Sequence, residues 1–214
     1  MADIEAIFGG TFDPIHYGHL RSAEALATLT GLNKITLMPN NVPPHRPQPA
    51  ASSAQRLEML RCAVAGDPLF AIDDRELHRD EPSRTVDTLR TLRQERGPHQ
   101  SLAFIIGQDS LLSLNRWYQW RELSKLCHLL VCRRPGYAPQ PDCSELQDWL
   151  HDRQTEDITR LHQQPAGLVF LAETPLWPVS ATDIRQRLRA GLPCNDLLPP
   201  DVLRYIAQTG LYRD

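Results

Sequence analysis

The stretch "FGGTFDPIHYGHL" (residues 8–20) joins the end of an apolar run to the start of a helical pattern. The apolar run "IEAIF" (residues 4–8) has the length and composition of a short buried strand. Gly9 and Gly10 lie at its end, and glycine permits either a positive φ or the close approach of backbone to a ligand. Pro14 favours a turn or the first residues of a helix. We therefore predict a tight strand-to-helix turn that receives a ligand.

Two histidines stand where this helix is expected to begin. Their three-residue spacing predicts that His16 and His19 lie on one face of the first helical turn. Gly18 removes a side chain where phosphate oxygens would fit, and a helix N-terminus adds unpaired N–H groups and partial positive charge. A zinc site with His45 as a third ligand is the alternative. Zinc-binding histidine pairs on helices favour i, i+4 spacing with an acidic neighbour, so the pattern favours an anion site.

Strand-like and helix-like segments alternate along the rest of the chain. Extended patterns recur at residues 35–38, 70–77, 102–106, 127–132 and 167–173. Helical patterns occupy residues 19–32, 52–66, 83–97, 120–126, 144–154, 180–191 and 199–210. Because the strands are continuous apolar runs, they are predicted to form a mainly parallel sheet with helices on both faces, an α/β fold. Ligands in such folds bind beyond the carboxyl ends of the strands, where "GGTFDPIHYGH", "PNNVPPHR" and "IIGQDS" are placed.

Composition limits the class of protein. The chain has 214 residues, and we expect one domain over 1–214 with a small helical portion at about 180–214. A net charge of −3 gives no sign of a nucleic-acid partner. The five cysteines form no Cys-x-x-Cys pair, as is typical of reduced thiols in the cytoplasm. Because we find no signal-peptide pattern and no apolar run near the ~20 residues of a membrane helix, we expect a cytoplasmic protein without membrane contact.

Two further segments carry candidate binding chemistry. Neither the Gly-x-Gly-x-x-Gly fingerprint nor the P-loop pattern follows the first strand, so both common phosphate loops are excluded there. His45 and Arg46 lie in the proline-rich loop "PPHR". In "VSATDIRQRLR", Ser180 and Asp183 have the spacing of a helix cap. One turn further, Arg185 offers a planar fork of N–H donors that suits phosphate.

These motifs carry a resemblance. "GGTFDPIHYGH" and "SATDIR" resemble the nucleotidyltransferase superfamily with T/H-x-G-H and I-S-x-T-x-x-R motifs, which implies a Rossmann-like, doubly wound fold. With "PNNVPPHR", "EPSRTVDTL", "FIIGQDSLLSLNRWYQW" and "LVCRRPGY", the chain resembles bacterial nicotinate mononucleotide adenylyltransferases from residue 4 to its end. The match is weakest over residues 138–166. The chain has Arg46 where the family often has Lys, Arg84 where it often has Tyr, and Ala181 where many relatives have Ser.

The resemblance implies transfer of the adenylyl group of ATP to nicotinate mononucleotide, giving nicotinic acid adenine dinucleotide and pyrophosphate. It implies His16, His19, Arg46 and Arg185 as catalytic residues. The residues implied around ATP are Phe8, Gly9, Gly10, Phe12, His16, Gly18, His19, His45, Arg46, Gly107, Asp109, Ser180, Thr182 and Arg185. Magnesium is expected on the ATP phosphates, with no metal site made by the protein. No obligatory protein partner is implied.

The resemblance also implies an acceptor site. Its residues are Asn40, Thr85, Asp109, Trp117, Tyr118 and Arg134. Trp117 offers a flat face on which a pyridine ring can stack, whereas Trp120 is expected in the core. Two alternatives stay open. One is another adenylyltransferase of the superfamily, acting on nicotinamide mononucleotide or pantetheine phosphate, and the other is a nucleotide-binding sensor without catalysis.

Overall fold

A computed structural model of the chain describes residues 3–41, 48–79, 83–133, 140–175 and 177–213. Within them, six strands form one sheet in the order β3-β2-β1-β4-β5-β6. The strands are β1 (Glu5–Gly10), β2 (Ile35–Pro39), β3 (Phe70–Ile72), β4 (Leu102–Gly107), β5 (His128–Cys132) and β6 (Val169–Ala172). Every pair of neighbouring strands is parallel. The predicted α/β class and the Rossmann-like, doubly wound sheet are confirmed.

Helices connect the strands and complete the C-terminal part of the described chain. They are α1 (Tyr17–Thr30), α2 (Ser53–Val64), α3 (Thr85–Arg96), α4 (Gln108–Leu112), α5 (Leu123–Leu126), α6 (Ser144–His151), α7 (Ile158–Gln163), α8 (Ala181–Arg189) and α9 (Pro200–Thr209). Single 3₁₀ turns lie at Arg75–His78, Leu114–Arg116 and Trp120–Glu122. None of the described helices combines the length and apolar character needed to cross a membrane.

The sheet separates two hydrophobic cores, because successive side chains of a strand point to opposite faces. Ala6 and Phe8 of β1 lie in the core that α1, α2, α8 and α9 cover. Ile7, between them, lies in the core that α3, α4, α5 and α6 cover. Trp120 belongs to this second core and packs edge to face on Trp149, with ring centroids 5.3 Å apart, so its predicted place in the core is confirmed.

Local chemistry shifts three of the predicted boundaries. The expected extended segment 70–77 is a strand only to Ile72, after which Asp73 accepts the Arg75 N–H and starts a 3₁₀ turn. Helix α3 begins at Thr85, two residues into the predicted segment 83–97, and the Ser83 hydroxyl accepts the Asn41 N–H instead of capping the helix. His16 stands just before α1 with an extended backbone, so it caps the first turn on which it was expected to lie.

The strand order determines where a ligand can enter. From β1 the chain builds outward to β2 and β3, then crosses back to β4 on the other side of β1. The connections after β1 and β4 therefore diverge to opposite faces and leave a crevice at the carboxyl ends of these strands. That crevice lies beside Gly10 and Gly107, where β1 and β4 end.

The parallel strands derive their stability from burial on both faces, which a pair of leucines can test. Leu130 in β5 is fully buried, whereas Leu192 is 55% exposed. We expect Leu130→Ala to lower the free energy of unfolding by about 2–5 kcal/mol, because it removes buried contacts and leaves a cavity. Leu192→Ala, the matched control, should change it by less than about 0.5 kcal/mol in the same urea titration. Equal losses of unfolding free energy in the two variants would contradict the placement of Leu130 in the core.

Candidate active site

The end of β1 is closely packed, which explains its two glycines. A Cβ on Gly9 would lie 2.5 Å from Cζ of Phe104, and one on Gly10 would lie 2.9 Å from Cζ of Phe12. Phe12 itself has a φ of 49°, a left-handed conformation that is costly for a bulky residue. Main chain and rings therefore meet at this turn without room for further side chains.

The two predicted histidines are brought together. The rings of His16 and His19 stack with centroids 3.7 Å apart and an interplanar angle of 25°. Phe8 and Phe12 approach the His19 ring edge to face, with centroids 6.0 and 5.1 Å away. His16 is buried, and His19 is half-buried. The His19 ring is thus held on three sides by aromatic neighbours.

One hydrogen bond determines which ring nitrogen of His19 carries the proton. The main-chain N–H of His16 donates to Nδ1 of His19 over 3.3 Å. A main-chain N–H can only donate, so Nδ1 accepts, and in the neutral ring the proton lies on Nε2. In its neutral form His19 therefore carries an N–H donor at Nε2, the kind of group that suits an anionic ligand.

Three residues before His16 lies a buried carboxylate, Asp13, that sequence reasoning missed. Asp13 is buried, and its Oδ2 accepts the Ala50 N–H at 2.8 Å. Its Oδ1 accepts the Ala51 N–H at 3.1 Å and the Tyr212 hydroxyl at 2.6 Å. The Asp13 main-chain carbonyl accepts Nη1 of Arg185 at 2.7 Å. Asp13 therefore joins the histidine turn to three segments that are distant in sequence.

The start of α8 lies beside the histidine turn. The Ser180 hydroxyl accepts the Asp183 N–H at 3.1 Å, which confirms the predicted cap at Ser180. Arg185, one turn on, contacts the Thr182 hydroxyl through Nη2 at 3.4 Å. A Cβ on Gly18 would lie 3.2 Å from Cβ of Val179, just before the helix. The N-termini of α1 and α8 thus converge.

A buried arginine ties the ends of β1 and β2. Arg56 of α2 is fully buried and donates to the Thr11 carbonyl at 2.7 Å and to the Asn40 carbonyl at 2.9 Å. Burial lowers the pKa of Arg56, and the neighbouring charge of Asp13 opposes this shift. Asn40 also donates through Nδ2 to the Thr11 hydroxyl at 3.4 Å. Within the described part of the chain, Oδ1 of Asn40 is buried without a hydrogen-bond partner.

Three of the residues predicted for the acceptor, Thr85, Trp117 and Tyr118, lie at or near the start of α3. Asn41 N–H donates to the Ser83 hydroxyl at 2.9 Å, which brings the end of β2 to the start of α3. There the Arg84 guanidinium lies over the Tyr118 ring, 4.3 Å from its centroid. Among described residues, neither the Thr85 nor the Tyr118 main-chain N–H has an acceptor. Trp117 is half-buried against the second core.

The remaining predicted residues divide into two groups. Gly107 ends β4 and Asp109 lies in the short helix α4 that follows, with Oδ1 of the carboxylate buried. His45, Arg46 and Arg134 lie outside the described residues, as does the zinc alternative that needed His45. Over the described ranges, no three His, Cys, Asp or Glu side chains are grouped so as to hold a metal ion.

Asp13, Arg56 and Tyr212 are the participants that pattern reasoning missed. Asp13 lies inside the quoted motif, but an aspartate before a proline indicates only a turn. Arg56 stands among other polar residues of an amphipathic helix, and nothing in the spacing distinguishes it. Tyr212 is 199 positions from its partner Asp13. None of these contacts leaves a short-range signal in the sequence.

Comparison with known proteins agrees with this geometry. The cytidylyltransferase-like family model matches residues 7–187. A protein of Pectobacterium atrosepticum named probable nicotinate-nucleotide adenylyltransferase is 60% identical over 213 residues, which cover 100% of both chains. One of the same name from Serratia proteamaculans is 59% identical over 98% of this chain and 96% of its own length.

Solved structures share the fold. Plasmodium falciparum nicotinic acid mononucleotide adenylyltransferase complexed with NaAD superposes with a TM-score of 0.75 at 18% identity, covering 98% of this chain and 97% of that one. The same enzyme complexed with APC gives a TM-score of 0.73 at 19% identity, covering 99% and 98%. At this identity the likeness establishes the architecture, and the residue-level site stands on the contacts above.

The absence of a side chain at Gly18 is a testable feature of the histidine turn. An alanine Cβ there would lie 2.9 Å from Nδ1 and Cε1 of His16. We expect Gly18→Ala to displace the His16 ring, to alter the ring NMR signals of both stacked histidines and to lower the free energy of unfolding by about 1–3 kcal/mol. Gly97→Ala, which strains the end of α3, should destabilise without altering those signals. Unchanged ring signals in Gly18→Ala would show that the contact is absent.

Proposed function

The chain belongs to the nicotinate-nucleotide adenylyltransferase family, and we propose that its crevice between β1 and β4 transfers the adenylyl group of ATP to nicotinate mononucleotide. The products are nicotinic acid adenine dinucleotide and pyrophosphate. One observation carries the assignment of this reaction to this crevice. A turn with two stacked imidazoles lies on one side, and the start of α3, whose Arg84 guanidinium lies over the Tyr118 ring, lies on the other.

The chemistry needs no general base. The attacking group is the phosphate of the mononucleotide, and a phosphomonoester with a second pKa near ~6 is already ionised at neutral pH. Catalysis then consists of bringing two anions together and stabilising the charge that develops on the leaving phosphates. Fixed N–H donors and cations provide that stabilisation, and these are the groups that the histidine turn and α8 supply.

The ATP half is proposed to lie over the glycine–histidine turn. The α-phosphate would meet His19, with His16 near the bridging phosphates and Gly18 leaving space for their oxygens. Ser180, Thr182 and Arg185 would hold the outer phosphates. The remaining proposed ATP contacts are Phe8, Gly9, Gly10, Phe12, His45, Arg46, Gly107 and Asp109. Magnesium would arrive as part of the MgATP substrate and neutralise charge on the leaving pyrophosphate.

The acceptor half is proposed to recognise a carboxylate on a pyridine ring. The Thr85 and Tyr118 N–H groups, which have no acceptor among described residues, would donate to that carboxylate. Trp117 would support the ring face. The partnerless Oδ1 of Asn40 would accept a hydroxyl of the substrate, and Asp109 and Arg134 complete the proposed set.

His19 is the first test of the ATP half. His19→Ala removes a positioned N–H donor to charge at phosphorus, and we expect kcat to fall by about 10²–10³ while the protein stays folded. The matched control is His99→Ala, because His99 is exposed and precedes β4 at the opposite edge of the sheet. The measurement is steady-state pyrophosphate release. A His19→Ala enzyme within about threefold of wild type would remove this residue from the mechanism.

The choice of acceptor tests the other half. A carboxylate only accepts hydrogen bonds, whereas the amide of nicotinamide must also place an NH₂ group. Two fixed main-chain donors suit the first and oppose the second, since they cannot rotate to accept. We expect kcat/KM for nicotinate mononucleotide to exceed that for nicotinamide mononucleotide by at least about 10². Paired assays at saturating MgATP measure the ratio.

The same assay distinguishes the remaining alternatives. Pyrophosphate release that needs nicotinate mononucleotide supports the proposal. Release with pantetheine phosphate and with no other acceptor would overturn the assignment of nicotinate mononucleotide as the acceptor. No release with any of these acceptors would favour a binding protein without catalysis. A ratio near one between the two pyridine mononucleotides would leave adenylyl transfer standing and remove the proposed carboxylate site.

A further inference from the structure

Tyr212 reaches the candidate active site from the last described residues of the chain. It lies after α9 and is buried, in contrast to most of that segment. Its hydroxyl donates to Oδ1 of Asp13 over 2.6 Å, a short bond to a buried carboxylate. The family model that matches residues 7–187 ends before Tyr212. The contact therefore joins a segment outside that match to the turn that precedes the two histidines.

Backbone conformation sets this contact apart from ordinary packing. Tyr212 has a φ of 62°, and Phe12, next to its partner Asp13, has a φ of 49°. Bulky side chains adopt the left-handed region only where surrounding contacts impose it, and such positions cluster at functional sites. Here the two strained residues lie on either side of one hydrogen bond.

Asp13 carries the effect of Tyr212 to Arg185. The Asp13 carbonyl accepts Nη1 of Arg185 at 2.7 Å, and Oδ2 of the same residue lies 3.8 Å from that nitrogen. The Arg185 side chain is 26% exposed, so its guanidinium is anchored on one side and accessible on the other. The carboxylate that Tyr212 holds in one rotamer therefore places its other oxygen within ion-pair distance of the same guanidinium nitrogen that the Asp13 carbonyl anchors.

The tyrosine remains a donor over the whole range of ordinary assays. Burial, together with the bond to Asp13 and its charge, raises the pKa of the Tyr212 hydroxyl far above its usual range. The phenol thus keeps its proton, and the carboxylate keeps three donors: Tyr212, Ala50 and Ala51. Of these, only the phenol can be removed by a substitution that leaves the main chain unchanged.

We propose that Tyr212 is a positioning residue for ATP, which through Asp13 holds Arg185 in the orientation that grips the outer phosphates. The inference rests on the proposed function, because it assigns those phosphates to Arg185. Tyr212 itself touches no reacting atom. Removal of its hydroxyl should loosen Arg185 and leave the acceptor half of the crevice, at the start of α3, unchanged.

The test compares Tyr212→Phe with Tyr205→Phe. Tyr205 lies on α9, and its hydroxyl is near Glu58 and Cys62 instead of Asp13. We expect Tyr212→Phe to raise KM for MgATP at least about fivefold, as loss of one hydrogen bond of ordinary net strength would, with less than twofold change in KM for nicotinate mononucleotide. Tyr205→Phe should leave both constants within twofold. If Tyr212 had only a structural role, Tyr212→Phe would lower the melting temperature and the fraction of active enzyme, and KM for MgATP would not change relative to KM for nicotinate mononucleotide.

A double-mutant cycle identifies the route through Arg185. In an Arg185→Lys background, where the bidentate fork is already lost, adding Tyr212→Phe should raise KM for MgATP by less than about twofold. The inference would be overturned if the two substitutions raised KM for MgATP additively. It would also be overturned if Tyr212→Phe alone left the ratio of KM for MgATP to KM for nicotinate mononucleotide unchanged. If Tyr212→Phe folds poorly, Asp13→Asn removes the charge facing Arg185 and must produce the same separation of the two constants.

Failure of this inference and failure of the proposed function give different results. If the wild-type enzyme makes nicotinic acid adenine dinucleotide and Tyr212→Phe has the same KM values, only the proposed role of Tyr212 is overturned. A wild-type protein that releases no pyrophosphate would remove the proposed function. In that case calorimetric titration with MgATP alone decides the inference, since an affinity unchanged by Tyr212→Phe would overturn it.

Discussion

The burial of the Asp13 carboxylate is the constraint on which the site depends. An ionised carboxylate withdrawn from water must be matched by donors, or its burial costs several kcal/mol. Asp13 obtains them from Ala50, Ala51 and Tyr212, with Arg185 on its carbonyl. Arg56, buried nearby, supplies opposite charge and closes the ends of β1 and β2. Satisfying one charge therefore brings three remote parts of the chain, residues 50–56, Arg185 and Tyr212, to the histidine turn.

The sheet makes that convergence possible, because all its strands end at the same edge. Since the chain builds outward from β1 and then crosses to β4, the connections after these two central strands leave opposite faces and open a crevice. The histidine turn and α8 occupy one side of it, and the start of α3 with Tyr118 occupies the other. Topology thus provides two separate walls, one for each of the proposed substrates, on either side of the space beside Gly10 and Gly107.

Features that depend on near neighbours could be predicted from the sequence. The apolar runs, the Ser180 cap and the closeness of His16 and His19 all follow from spacings of a few residues. The early end of the third strand at Ile72 could not be predicted, because the Asp73 side chain accepts a main-chain N–H there and starts a 3₁₀ turn. Nor could the bond from Tyr212 to Asp13, since burial of a carboxylate is decided by the tertiary fold and leaves no periodic trace. Arg84 shows the same limit, because only the fold brings its guanidinium over Tyr118.

A reaction that needs no base requires donors that are already in place when charge develops, because donors that must reorganise lose much of their stabilising effect. In this crevice His19 is fixed through Nδ1 by the His16 N–H and through its ring by Phe12. Phe12 adopts its left-handed backbone to make that contact, at a cost of about 1–3 kcal/mol. The next residue, Asp13, carries the buried charge whose hydrogen bonds can offset that cost. The strained backbone and the hydrogen bonds that can offset its cost thus belong to adjacent residues, and the contacts of the turn also fix the ring of His19 in place.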